Sequence, residues 1–525
     1  MLVSSLHFPT LKEAPTFAET DGFKMLYRAG YLRESENSTL VFLPLFDLSL
    51  AKVEKLLIDR VFQERSNRLS VFQNKIIDDR FLSEISILEL LADDIQSYKK
   101  LPVGFHFFSS KEQKNPKYSA GLLRAASSYE LTHISISETD QTIDLASRFD
   151  KLLSQLGVKF YKTDGEIIYY YYSTDLGDIE LLNCNSCHSN FTENSQISQV
   201  NADIRRKTPR NDSNKELFEM KAIFTPNVKT VDELAAFLNI SNKEIAKTLI
   251  CTYKDKVFAA LIRGDRELSL NKLANVLDID PDLLKNADSD TVLKTTGALP
   301  GSVGPVGLKI PIFIDQEVAQ MKNFVTGTNK DDYHLLNVNF NHDFTAKICD
   351  LKKFDLSECP NCNRPLKPIT TVAFAKTFSA DRRQKIYYLD ENGKNKLAAT
   401  EIISIDLLKL LGILTETYTT KDGLNLPEII APFQVVIVPI NIKDTSQKKL
   451  AFSLYNQLKE SSIEVLLDDR HERAGSKFKD FELASIPYRI TVGKRTNEGL
   501  VEIKNQKTYE EIELPIEQVV AYFDK

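Results

Sequence analysis

Between Ser189 and Lys215 the chain turns to Asn, Ser, Thr and Gln, with a basic knot at Arg205, Arg206, Lys207 and Arg210. A stretch of that composition does not fill a core. It reads as a linker or exposed loop, so folded units are expected on either side of it. The knot reads as solvated surface ahead of a nucleic-acid contact. Length agrees with a divided chain, since 525 residues exceed what one hydrophobic core supports and two to four domains are expected.

An apolar share of 42% and a charged share of 27% are those of an ordinary soluble globular protein. No apolar run approaches the ~20 residues of a membrane span. Met1 to Thr10 lacks a charged region followed by an apolar stretch, so no secretory signal and no membrane are expected and the location reads as cytoplasmic. A net charge of -6 argues against coating DNA through bulk charge, yet is compatible with tRNA held by local patches and shape. No P-loop or dinucleotide fingerprint is present. Six cysteines in such a chain point to a reducing compartment, where Cys-x-x-Cys more often means metal than disulfide.

Periodicity suggests α/β and α+β multidomain architecture. Leu40 to Leu43 reads as a buried strand, Val53 to Arg60 and Ile85 to Tyr98 as amphipathic helices, and Ile167 to Tyr172 as a packed strand. Residues 218–356 read as a compact α/β unit with helices at Val231 to Leu238 and Lys243 to Leu249 and strands at Val257 to Arg263 and Ile310 to Ile314. A Gly/Pro-rich loop, Gly297 to Gly307, precedes the last of these strands. From Pro432 onward, Val435 to Pro439, Gln447 to Lys459, Ile463 to Leu467, Tyr488 to Val492 and Ile516 to Phe523 alternate strands with helices, suggesting a largely parallel sheet.

Longer runs carry a resemblance. Phe8-Pro9-Thr10-Leu11-Lys12-Glu13-Ala14-Pro15 leads to Leu26-Tyr27-Arg28-Ala29-Gly30-Tyr31-Leu32-Arg33, and Leu43-Pro44-Leu45 follows. At the other end stand Ile430-Ala431-Pro432-Phe433-Gln434, the run Asp468 to Phe478, and Ile486-Pro487-Tyr488-Arg489. In between lie Thr225 to Thr230, Lys247-Thr248-Leu249, Arg263 to Leu268, Gly301 to Gly307 and Asp331-Asp332-Tyr333-His334. Together they resemble the bacterial-type prolyl-tRNA synthetase family over nearly the whole chain. The resemblance implies a class II synthetase-like antiparallel-sheet core (1–190 and 357–428), a linker (191–217), an inserted α/β editing domain (218–356) and a C-terminal α/β anticodon-binding domain (429–525). It also implies tRNA(Pro) as partner and a homodimer.

A pocket that accepts proline cannot exclude smaller alanine by sterics, because the lost contacts are worth only ~1–3 kcal/mol. A second site must then hydrolyse the wrong ester, with donors aimed at the developing oxyanion. The loop with Gly301 and Gly304 is expected to supply backbone N–H groups at close approach. The resemblance gives Lys247 a role in deacylation and His334 a place lining the amino-acid pocket. For tRNA contact it points to Arg470, Arg473 and Lys477, with a folded-core role for the Asp469–Arg473 charge cluster as the alternative.

The activation site departs from the family pattern. The Phe-Arg-x-Glu motif, whose guanidinium grips phosphate, corresponds to Ser110-Lys111-Glu112-Gln113, and lysine lacks the bidentate fork. Arg124 survives in Gly121-Leu122-Leu123-Arg124, and Glu84 in Leu82-Ser83-Glu84, where the family has Thr-x-Glu. Glu-Val-Gly-His becomes Thr371-Val372-Ala373-Phe374, and Leu410 to Thr417 contains no ATP-binding arginine. The expectation is a deacylase of mischarged Ala-tRNA(Pro) with a vestigial synthetase site. The alternatives are a proline–tRNA ligase with drifted motifs, using ATP and Mg, and a non-catalytic tRNA-binding paralogue. Cys184, Cys187, Cys359 and Cys362 flank the insertion and form a structural zinc site or remain reduced thiols.

Overall fold

The computed structural model describes the chain except residues 36–38, 64–65, 71–81, 114–115, 140–142, 164–166, 192–216, 278, 280–283, 354–358, 360–361, 363, 381–384 and 525; of 82–86, 271 and 275 it describes the backbone alone. The basic knot and nearly all of the expected linker lie outside the described residues. The chain gathers into two compact units, Met1–Leu181 with Pro368–Lys525, and Leu182–Lys367. Both cysteine pairs fall in the second of these units, where Cys184 and Cys359 are buried with Phe191 in a small cluster of their own.

The first unit is built on a sheet in the order Ser66–Arg68, Val103–Glu112, Ser127–Ser137, Ala399–Asp406, Lys367–Ser379, Ile167–Ser173, Tyr161–Lys162. Its neighbours are antiparallel except for the first pair. The helix Leu407–Tyr418 follows directly, capped by the Asp406 side chain on the Lys409 N–H, and buries Leu407, Leu410, Leu411, Ile413 and Leu414. Pro44 pre-sets the first turn of the helix Pro44–Leu57. The strand Leu40–Phe42 is not buried as expected: it pairs only with Leu32–Glu34, and Val41 stays 46% exposed.

The C-terminal segment packs against this core. Lys52 donates to the Ala431 carbonyl and to Glu464, and the Tyr31 hydroxyl donates to the Ala484 carbonyl at 3.0 Å. Its sheet runs Val465–Leu467, Val435–Pro439, Tyr488–Val492, Leu500–Asn505, Glu511–Pro515. The first three strands are parallel, and the last two form an antiparallel hairpin, so the sheet is mixed rather than largely parallel. Ile516–Gln518 and Val519–Phe523 are short helical turns.

The second unit combines two sheets. One has the order Leu284–Asn286, Ala246–Tyr253, Lys256–Arg263, Ile312–Asp315, Lys347–Cys349; the other, Lys221–Phe224, Tyr333–Val338, Phe324–Gly327. The helix Val231–Leu238 begins with a full capping box between Thr230 and Glu233. No helix spans Lys243 to Leu249. A short turn, Asn242–Glu244, hands over to the strand Ala246–Tyr253, which pairs residue for residue with Lys256–Arg263. Thr248, Ile250 and Thr252 are β-branched and suit that pleated surface.

Candidate active site

Three of the four expected editing residues converge on one cavity of about 260 Å³ in the second unit. Lys247, Gly301 and His334 line it, with Val231, Leu234 and Ile245 as its apolar wall. Lys247 reaches it from the strand Ala246–Tyr253, and its Nζ donates to the Gly264 carbonyl at 3.2 Å. Burial holds its pKa below the usual lysine range, opposed by the charges of Glu267, Asp265 and Asp232.

His334 is 3% exposed and its Nδ1 lies 2.7 Å from the Thr225 hydroxyl. Burial pushes its pKa down, and a hydrogen bond to the Gly301 backbone works weakly the other way. A neutral ring accepts from Thr225 at Nδ1 and donates through its other nitrogen, which ties the imidazole to the glycine loop. The cavity is therefore bounded by two lysines, Lys229 and Lys247, one imidazole and a backbone loop.

The two glycines differ in what they do. Gly301 lines the cavity at φ +105°, and an added Cβ would stand 2.6 Å from the Lys229 carbonyl oxygen. Its N–H and that of Val303, also on the lining, have no internal acceptor among the described residues. Gly304 is not on the lining, and its N–H donates to Asn329 Oδ1 at 2.9 Å. The expectation that Gly304 presents a donor to the ester is corrected: its N–H is already used, and it serves the loop's backing. Sequence reasoning missed Thr225 and Asn329, which touch the site through hydrogen bonds.

In the first unit the expected activation residues are paired internally. Lys111 contacts Glu130 at 2.7 Å, and Arg124 donates to the Leu176 carbonyl at 3.2 Å. Lys409, which the sequence reading did not single out, donates to the Ala373 carbonyl at 3.1 Å, and beside it burial raises the Asp406 pKa to about 6. Phe374 is packed between Phe149 and Tyr170, with ring centroids 6.4 and 6.2 Å away. The helix Leu82–Asp94 carries Glu84, whose side chain lies outside the described residues.

Of the residues expected to touch tRNA, only Arg473 is exposed. Lys477 is fully buried, 3.6 Å from an Asp468 carboxylate oxygen and 3.4 Å from the Pro439 and Asp468 carbonyls. Arg470 grips Asp468 with two nitrogens and Asp480 with a third, at 2.8–3.1 Å. Both therefore hold the fold in this conformation rather than presenting charge to an RNA; an ion-pair network formed across Asp468 and Asp480 explains why.

The sulfurs of Cys184, Cys187, Cys359 and Cys362 all lie within 4.8 Å of one another, with Cys184–Cys362 at 3.4 Å and Cys187–Cys359 at 3.5 Å. A tetrahedral zinc with Zn–S near 2.3 Å spaces its sulfurs by about 3.8 Å, so the four thiols fit that ion.

Family comparisons agree with this layout. An aminoacyl-tRNA editing domain profile matches residues 225–342, and an anticodon binding domain profile matches 434–525. An ester-editing unit inserted into a chain that ends in an anticodon-binding domain places the protein among the aminoacyl-tRNA synthetases. Proline–tRNA ligase of Caldicellulosiruptor bescii is 32% identical, covering 99% of this chain and 97% of the relative; that of Persephonella marina is 30% identical over 100% of both. The chain belongs to the proline–tRNA ligase family. Among solved structures, prolyl-tRNA synthetase from Cryptosporidium parvum complexed with L-proline and AMP aligns with 96% of this chain and 73% of that one, at 12% identity and a TM-score of 0.48.

Proposed function

We propose that this chain binds tRNA(Pro) and hydrolyses its mischarged alanyl ester in the second unit, while proline activation by the first unit is weak or absent. The observation that carries the reading is the convergence of Lys247, Gly301 and His334 on one cavity. In this mechanism the ester carbonyl sits against the open N–H groups of Gly301 and Val303, which stabilise the oxyanion as water adds. Neutral His334 holds the loop at that distance, and the Lys247 ammonium binds the tRNA terminus.

The ion pair of Lys111 with Glu130 supports weak activation, because a nucleotide phosphate would have to compete with that carboxylate for the cation standing where the family has its arginine. A second reading, an ATP- and Mg-dependent proline–tRNA ligase, is favoured by 32% identity to such a ligase over 99% of the chain. Family membership also supports a homodimer, and the cysteine cluster supports a structural zinc. Among the described residues no helix is long and apolar enough to cross a membrane.

The test incubates purified protein with Ala-tRNA(Pro) and Pro-tRNA(Pro), wild type against Lys247→Ala. Selective loss of the alanyl ester, abolished in the variant, is expected. Proline-dependent ATP–pyrophosphate exchange at an ordinary synthetase rate would establish the ligase instead.

A further inference from the structure

We infer that Asn329 is the positioning residue that sets the oxyanion loop, an inference that rests on the deacylase reading. Asn329 sits at φ +60°, a left-handed conformation that asparagine tolerates better than most residues. From there it makes hydrogen bonds to alternate residues of the glycine loop. Its backbone N–H donates to the Ser302 carbonyl at 2.9 Å. Its side-chain oxygen accepts the Gly304 N–H at 2.9 Å, and its side-chain nitrogen donates to the Val306 carbonyl, also at 2.9 Å.

The consequence lies in which donors remain. A loop with few ladder bonds has its N–H directions fixed by whatever grips it. Asn329 takes the polar groups of Ser302, Gly304 and Val306, and leaves the N–H groups of Gly301 and Val303 without an internal acceptor. Both of these residues line the cavity that holds Lys247 and His334. Asn329 itself is not on the lining, so it acts on the ester only through the loop. An amide suits this place, since at neutral pH it offers an acceptor to Gly304 and a donor to Val306 from one planar group.

The experiment measures single-turnover and steady-state hydrolysis of Ala-tRNA(Pro) by full-length wild type, Asn329→Ala, Asn329→Asp and Lys247→Ala, with thermal unfolding of each. Displacing reacting groups by an ångström costs about 100-fold in rate, so kcat is expected to fall ~10–100-fold in Asn329→Ala, with KM within about twofold. Asn329→Asp keeps the acceptor but loses the donor when ionised; a protonated carboxyl restores both. Its rate relative to wild type is therefore expected to rise as pH falls from about 6 to 4, through the ordinary aspartate range, a dependence that a merely destabilising substitution would not produce. Should Asn329→Ala fail to fold, the aspartate ratio decides alone.

If wild type hydrolyses the ester and Lys247→Ala does not, while Asn329→Ala keeps kcat within about threefold, or the aspartate ratio is flat with pH, the positioning role is overturned and the deacylase reading stands. If wild type hydrolyses nothing, both fall together.

Discussion

Replacing Gly304 by alanine adds one methyl group at a place where the chain has no room for it. The added Cβ would lie 1.8 Å from the Gly327 carbonyl oxygen and 2.5 Å from its carbonyl carbon, both backbone atoms. Since real Cβ contacts stop near 3.0 Å, the two loops must separate by about 1.2 Å. That movement is carried straight into Val303, next along the chain, and into the Gly304–Asn329 bond. Forced repacking of this size costs ~1–3 kcal/mol of stability, and an ångström of misplacement at the oxyanion donors costs about 100-fold in rate. Gly307→Ala is the matched control: Gly307 is at φ +80° with nothing within 4 Å of its added Cβ. It should lose ~1–2 kcal/mol through backbone strain alone and keep its rate. Deacylation of Ala-tRNA(Pro), measured beside urea unfolding, separates the two. Equal rates in both variants would refute the claim that loop placement, rather than glycine flexibility in general, controls the chemistry.

Further outcomes follow from individual contacts. Lys477→Met should cost ~1–3 kcal/mol by removing a charged partner of buried Asp468, which keeps Arg470; affinity for tRNA(Pro) below the unfolding temperature should not change, and a lost affinity at full stability would restore the contact reading. Elemental analysis should find one zinc per chain, with Cys359→Ser both losing it and lowering the unfolding midpoint; a metal-free protein with the same midpoint counts against the site. Burial, with the charges of His106 and Arg148, holds the His133 pKa at about 3. The unfolded chain takes up that proton first, so the contribution is intact above about pH 6.5 and is lost as pH falls from there toward 3. His133→Phe, which can keep the stack on Phe62, should flatten that part of the acid unfolding curve.

How much of this was legible depended on where the physical signal sat. The buried strands Val435–Pro439 and Tyr488–Val492 were read to the residue, the first because a strand covered on both faces is a continuous apolar run. The hairpin Leu500–Pro515 was not, since its residues alternate with charged ones on an exposed face. Lys243 to Leu249 passed for helix because Lys243, Glu244 and Lys247 mimic a helical polar face; the long-range partner Lys256–Arg263 makes Ala246–Tyr253 a strand. Lys247, Gly301 and His334 were identified by resemblance, but Asn329 was invisible to it, since its role lies in a backbone dihedral and bonds to residues 23 to 27 positions earlier. Lys477 misled for the opposite reason: a lysine in a basic-looking run reads as surface until a buried carboxylate is found beside it.

The contrast between the two units is one of spent and unspent polar groups. In the first, Lys111 is matched by a carboxylate, Arg124 donates to a carbonyl as Lys247 does in the second, and Phe374 lies among aromatic rings. Recruiting those cations to a phosphate means breaking bonds already made, and each bond to a charged group is worth roughly 1.5–3 kcal/mol. In the second unit Gly301 and Val303 line the cavity, and their N–H groups have no internal acceptor among the described residues, so an oxyanion forming against them would break no bond already made. Preorganisation of that kind lowers a barrier because the reorganisation was completed in folding. The difference that supports the proposed hydrolytic reading therefore lies in backbone donors and not in cations, since Lys247 is itself bonded to the Gly264 carbonyl, and the length of the family match speaks equally for a ligase.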